Sequence, residues 1–149
     1  MGSKDKCIYI YEVLNGMLVS RLPGHRSSVC CMMGHREFLA SGGDIGCNSL
    51  ILWDIKTWTI KSKVQSHSAA ISSIVDLQDD QHLITGSYDK KICVYSYREG
   101  GLKYTLPSNK SSVTSIVMNV DGSKMISCGL DHIINIWQVV KRDNVLFFL

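Results

Sequence analysis

The stretch Leu22–Val29 reads "LPGHRSSV", and Leu106–Val113, 84 residues further on, reads "LPSNKSSV". Midway between them, Val64–Ile71 reads "VQSHSAAI", with the same order of apolar, small polar, His and β-branched residues. A step of 42 residues therefore joins all three. Other landmarks keep the step: Tyr11, Trp53, Tyr95 and Trp137; His25, His67 and Asn109; Val29, Ile71 and Val113. Self-similarity at a fixed period marks a repeat architecture, in which each unit is one supersecondary element that cannot bury its apolar face alone.

One period, Lys63–Leu106, contains four short runs rich in Val, Ile, Tyr and Thr: "AISSIV", "HLITGS", "KICVYSY" and "LKYTL". Such runs favour strands, and none carries a sustained helical period. Turn dipeptides separate the runs along the chain, among them Asn15-Gly16, Gly100-Gly101 and Asp121-Gly122. Pro23 and Pro107 occupy the same place in their repeats, just past a strand end, where a missing N–H costs least. Each period thus predicts four antiparallel strands. A lone four-stranded sheet leaves a face uncovered. Radial stacking covers it, and a period of about 40–45 residues with four strands is the propeller signature.

With 149 residues, 45% of them hydrophobic and 19% charged, the chain has the composition of one globular domain. Its net charge of +3 is too weak to argue for nucleic acid, and lysine and arginine run together only as pairs, Lys90-Lys91 and Lys141-Arg142. No apolar run approaches the length that spans a membrane. The N-terminal "MGSKDK" lacks a signal-peptide core, and Lys6 stands where a myristoylation signal needs Ser or Thr. The six cysteines, at positions 7, 30, 31, 47, 93 and 128, form no Cys-x-x-Cys pair. Most lie in apolar strand-like runs, so they read as reduced buried thiols, without disulfide, metal or cofactor, in a cytoplasmic or nuclear protein.

The residues inside the repeat carry a family resemblance. Gly24-His25 is followed by "LASGGD" (Leu39–Asp44) and "LILWD" (Leu50–Asp54). Ser66-His67 is followed by "LITGSYDKKICVY" (Leu83–Tyr95), and Ser108-Asn109 by "MISCGLDHIINIW" (Met125–Trp137). "GSKDKCIYIYE" (Gly2–Glu12) matches the end of a further unit. The chain resembles the WD-repeat (β-transducin-like) propeller family over nearly its whole length. The expected fold is all-β: a WD-repeat domain over 1–149, with a partial unit at 2–12, repeats at about 17–54, 59–96 and 101–138, and a terminal strand at about 144–149. That makes three complete four-stranded blades and an outer strand pair, not a closed ring. The family's rings usually close with about seven blades. The favoured expectation is therefore a piece of a longer protein. Pairing with the remaining half-propeller, self-association and a short stable stack are the competing ones. "VLFFL" (Val145–Leu149) is apolar on both strand faces, which marks it as atypical or partnered.

Each unit also holds a His or Asn, a Ser or Thr, an Asp and an aromatic residue. The sets are His67, Thr85, Asp89 and Tyr95, and then Asn109, Ser127, Asp131 and Trp137. In the second unit His25, Ser41 and Trp53 are clear, but the turn is two residues longer, so Asp44 or Asn48 takes the acid's place. A hydrolase needs one exposed nucleophile beside an oxyanion hole. A constellation repeated in unit after unit is instead a buried polar chain, and no catalytic residue is assigned. The resemblance implies its order: Asp accepts from His, His engages the hydroxyl, and the hydroxyl meets the indole N–H. Asn109 offers a donor and an acceptor but is shorter than His, so the last unit's network is expected to be incomplete or water-mediated.

In this architecture the His loop and the Asp turn share a rim, the family's usual recognition face. Arg26, Tyr88, Lys90, Lys110 and His132 stand beside the network as partner-binding candidates, suited to an acidic or phosphorylated peptide. His35 and His82 read as turn or strand-edge residues, Trp58 as packing on an outer strand, and Asp76, Asp79 and Asp80 as a solvated turn. The functional expectation is a non-catalytic scaffold with a protein or peptide partner. A phosphoinositide- or nucleic-acid-binding propeller is the alternative, and Lys141-Arg142 is all that supports it.

Overall fold

The computed structural model of the chain describes residues 4–65, 67–106, 110–142 and 145–148. The expectations placed on Gly2, Ser3, Ser66, Pro107, Ser108 and Asn109 lie outside these residues. The described residues form strands and turns, with no helix among them. β1 (Cys7–Tyr11) and β2 (Leu18–Pro23) make a two-stranded antiparallel sheet. Three four-stranded sheets follow. They are β3 (Val29–Gly34), β4 (Phe38–Gly43), β5 (Ser49–Asp54) and β6 (Ile60–Gln65); β7 (Ile71–Asp76), β8 (His82–Ser87), β9 (Ile92–Ser96) and β10 (Leu102–Leu106); and β11 (Val113–Met118), β12 (Lys124–Gly129), β13 (Ile134–Arg142) and β14 (Val145–Phe148). In each sheet the strands lie side by side in chain order. This is the all-β, four-stranded plan that the 42-residue period predicts, with the strand pair at its head. Residues 17–54 run from β2 to β5, whereas the sheet runs from β3 to β6, so repeat and sheet are out of phase by one strand.

The chain divides into two compact units, 1–71 and 72–149, each with its own core. In the first, Ile8, Leu22, Val29, Ile51 and Trp53 are buried together, with Ile10, Leu39 and Trp58 packed against them. Trp58 packs as expected but is not on a strand. It sits in the β5–β6 turn with φ +56° and donates its N–H to Asp54 O at 2.8 Å. Asp54 Oδ1 accepts from Lys56 N and Thr57 N, which reverses the chain before β6 begins. Asp44 acts likewise in the β4–β5 turn, its Oδ1 accepting from Ile45 N at 2.7 Å.

In the second unit, Leu77, Ile84, Ile92 and Val94 of one sheet pack with Val113, Ile116 and Met125 of the next. Close approach is possible because Gly86 carries no side chain: a Cβ there would stand 2.7 Å from Val113 Cγ1 and 2.9 Å from Ile116 Cδ1. Gly42 does the same in the first unit, where a Cβ would meet Cys31 Sγ at 2.5 Å and Ile71 Cβ at 2.8 Å. One period after Ile84, Ile92 and Val94, the last sheet leaves Ile126, Ile134 and Ile136 exposed, the latter two at 69% and 67%. Along β14, Leu146 is buried and Phe147 exposed, and Leu149 of the apolar C-terminal run lies outside the described residues. Asp76 and Asp79 are turn caps between β7 and β8: Asp76 Oδ1 accepts from Gln78 N, and Asp79 Oδ1 from Gln81 N and His82 N.

Candidate functional site: a buried latch and an exposed loop edge

Three elements of the first unit meet at Ser41. Its hydroxyl, on β4, is fully buried. Trp53 Nε1 on β5 donates to Ser41 Oγ at 2.8 Å, and His25 Nε2, in the β2–β3 loop, lies 2.7 Å from the same oxygen. His25 and Trp53 are buried too, so each polar atom of the chain needs its partner. This is the loop-to-strand connection that the resemblance implies.

The fourth member is neither Asp44 nor Asn48. Cys47 Sγ stands 3.4 Å from His25 Nδ1. The Asp44 carboxylate is turned to the backbone of its own turn, as described above. Asn48 adopts φ +45°, and its buried Oδ1 has no hydrogen-bond partner. The signal lay in counting back from the aromatic residue. Asp89 precedes Tyr95 by six, Asp131 precedes Trp137 by six, and Cys47 precedes Trp53 by six. The two extra residues of this turn therefore fall before the acid's place, and a thiol fills it.

The substitution sets the electrostatics. Burial, helped by the charge of Lys63, pushes the His25 pKa down to about 4, so the ring is neutral at pH 7. A neutral imidazole donates through one nitrogen and accepts through the other, and a thiol and a hydroxyl can each take either role. Burial pushes the Cys47 thiol up, but hydrogen bonds from the Arg26, Ser49 and Ser27 backbones and the Ser49 side chain outweigh it and hold the pKa below the usual thiol value. The Arg26 N–H lies 3.3 Å from Cys47 Sγ.

Part of the pattern returns in the last sheet, where Trp137 Nε1 donates to the buried Ser127 Oγ at 3.0 Å. Asp131 Oδ1 accepts from Ile133 N at 3.2 Å, and Asn109, its expected counterpart, lies outside the described residues. His67, Thr85 and Tyr95 are all buried, and Asp89 Oδ1 accepts from Lys91 N at 2.9 Å. Among the described residues no group of three His, Cys, Asp or Glu is placed to hold a metal ion.

The binding candidates lie on the surface. Arg26, Tyr88, Lys90, Lys110 and His132 are all exposed. Within the second unit, one residue gathers their loops. Ser112 Oγ donates to Tyr88 O at 2.9 Å, and Ser112 O accepts from Leu130 N at 3.1 Å. The β8–β9 turn with Tyr88 and Lys90, the loop with Lys110 and the β12–β13 turn with His132 therefore share one edge. Lys90 and His132 both take positive φ, +75° and +61°, at the tips of their turns. Arg26 stands in the first unit, beside the latch.

A family model described as WD domain, G-beta repeat matches residues 16–54, 58–96 and 100–138. The chain is 28% identical to the U5 small nuclear ribonucleoprotein 40 kDa protein of Dictyostelium discoideum, over 99% of this chain and 42% of that protein. It is 26% identical to GID complex subunit 7 of Schizosaccharomyces pombe, over 97% of this chain and 29% of that one. With Periodic tryptophan protein 2 of Arabidopsis thaliana it shares 28% identity over 66% of this chain and 11% of the relative. The chain thus spans less than half the length of each of these relatives. The three matched repeats, the four-stranded sheets that recur with the same period and the Trp–Ser–His connection converge: this chain belongs to the WD-repeat family.

Proposed function

We propose that this chain is a non-catalytic interaction scaffold that binds an anionic peptide segment of a protein partner through its exposed loop edge. The observation that carries the reading is the Ser112 bridge, which draws Tyr88, Lys90, Lys110 and His132 to one edge with their side chains exposed. An aromatic ring beside several cationic or hydrogen-bonding groups suits carboxylate or phosphate recognition. Against a hydrolase stands the state of Ser41: a nucleophile must reach its substrate, and this hydroxyl is fully buried and engaged by Trp53 and His25. Relatives named as part of a ribonucleoprotein, as a complex subunit and as a kinase-interacting protein support a role in assembly. A nuclear or cytoplasmic site of action is proposed with it, supported by the free thiols and the small nuclear ribonucleoprotein relative.

The test is an immobilised peptide set with acidic, phosphorylated and uncharged members, probed with the whole chain and with a Lys90→Glu/Lys110→Glu variant of unchanged circular dichroism. Retention of anionic members that the variant loses is the expected result. Equal retention by the variant would overturn the reading. So would retention on anionic vesicles or DNA in place of peptides.

A further inference from the structure

A pocket of about 360 Å³ lies beside the latch in the first unit, lined by Arg26, Gly46, Cys47, Ser49, Lys63 and Gln65. Its lining carries two side-chain cations and no acid. Lys63 Nζ also donates to Gly24 O at 3.0 Å. Cys47 is 3% exposed and is one of the lining residues. Its sulphur lies 3.3 Å from Arg26 N and 3.4 Å from His25 Nδ1. The cavity thus brings together a nucleophilic atom, donors that stabilise its anion, and two cations placed to hold a negatively charged reagent.

We propose that this pocket is a thiol-modification site for small anionic disulfides: Arg26 and Lys63 hold the carboxylates while Cys47 Sγ exchanges with the disulfide. The Cys47 thiol first gives its proton to solvent, because the buried neutral His25 is a poor acceptor. The thiolate attacks one sulphur of the disulfide. A new S–S bond forms to Cys47, the reagent's S–S bond breaks, and the departing half leaves as a thiolate that takes up a proton. The reagent is itself the oxidant, so no other is needed. The adduct puts a second sulphur where the thiol hydrogen was, so Cys47 Sγ can no longer donate to His25 Nδ1 and the added group loosens the β4–β5 turn from the latch, which makes the connection sensitive to thiol oxidation.

The other cysteines serve as internal controls. Cys30 is exposed, but burial of its sulphur and the charge of Asp44 raise its pKa. The Cys31 thiol is pushed up to about 12, mainly by burial, so it reports on global unfolding. The whole chain is treated at pH 7.5 with oxidised glutathione, which is anionic, or with cystamine, which is dicationic, and each site is followed by peptide mass mapping. Cys47 is expected to react first, and roughly tenfold faster with oxidised glutathione than with cystamine. Arg26→Ala/Lys63→Ala should remove that preference without slowing cystamine. Modification of Cys30 while Cys47 stays free would overturn the proposal. Modification of Cys47 only as fast as Cys31, or at equal rates by the two disulfides, would do the same.

Discussion

Removing one oxygen from the latch should cost the first unit much of its stability. In Ser41→Ala the Trp53 N–H loses its acceptor and His25 Nε2 loses its partner, both inside the core. A buried polar group left unsatisfied costs about 1–3 kcal/mol, so two of them, less the small gain from no longer desolvating the hydroxyl, come to about 3 kcal/mol. Packing contributes little, because Ala occupies nearly the same space as Ser. With a urea slope of about 2 kcal/mol/M, the midpoint should fall by about 1.5 M at unchanged slope. Urea unfolding followed by tryptophan fluorescence and circular dichroism reads this directly. A second background isolates the hydrogen bond. Trp53→Phe removes the indole N–H, so Ser41→Ala should cost about 1–2 kcal/mol less in that variant. A loss below about 0.5 kcal/mol in the wild-type background, or an equal loss in both, would refute the reasoning.

Acid should weaken the same latch. The folded His25 pKa of about 4 lies below the ordinary 6.5, so the unfolded chain binds more protons between these values. Stability must then fall as pH drops through that window, by about 2 kcal/mol at pH 5 and about 3 kcal/mol in full. Urea midpoints at pH 7.5 and 5 measure it, and a pH dependence unchanged in His25→Gln would contradict the assignment. Cys47→Asp places a carboxylate beside Nδ1 and should raise the His25 pKa above its ordinary value, read by the imidazole proton shifts in NMR; a pKa still near 4 would show that the turn does not bring position 47 to the ring. Gly86→Ala should destabilise the second unit by about 1–3 kcal/mol through overpacking against Val113 and Ile116, and a thermal midpoint equal to wild type would show that those side chains yield freely.

Much of the fold was legible because a propeller unit repeats its chemistry. Strand runs, turn dipeptides and the aromatic at each period are local signals, and the 42-residue step multiplied each by the number of units. The strands of Lys63–Leu106 appear where the β-rich runs stand, and the phase shift between repeat and sheet follows from the strand pair β1–β2. Trp58 was misplaced because Asp54 caps the turn with its side chain, and a short capped turn looks like the start of a strand in a β-rich sequence.

The latch shows where sequence stopped. The repeat singled out His25, Ser41 and Trp53, and the family resemblance implied how they connect. Their fourth partner was not evident, because a two-residue insertion left the register of the turn open, and only Asp44 and Asn48 stood as candidates for the acid's place. Only the path of the β4–β5 turn decided it: Asp44 spends its carboxylate on its own backbone, and Cys47 arrives at His25 Nδ1. By itself the sequence determined the repeat and the all-β class, since these depend on local propensity and periodic spacing, and with the family resemblance it marked three of the four latch residues. Tertiary structure decided which atom completes the latch, and that Arg26, Lys63 and Cys47 share a pocket. Distance between side chains on different strands depends on register and turn geometry, which no single stretch of chain encodes.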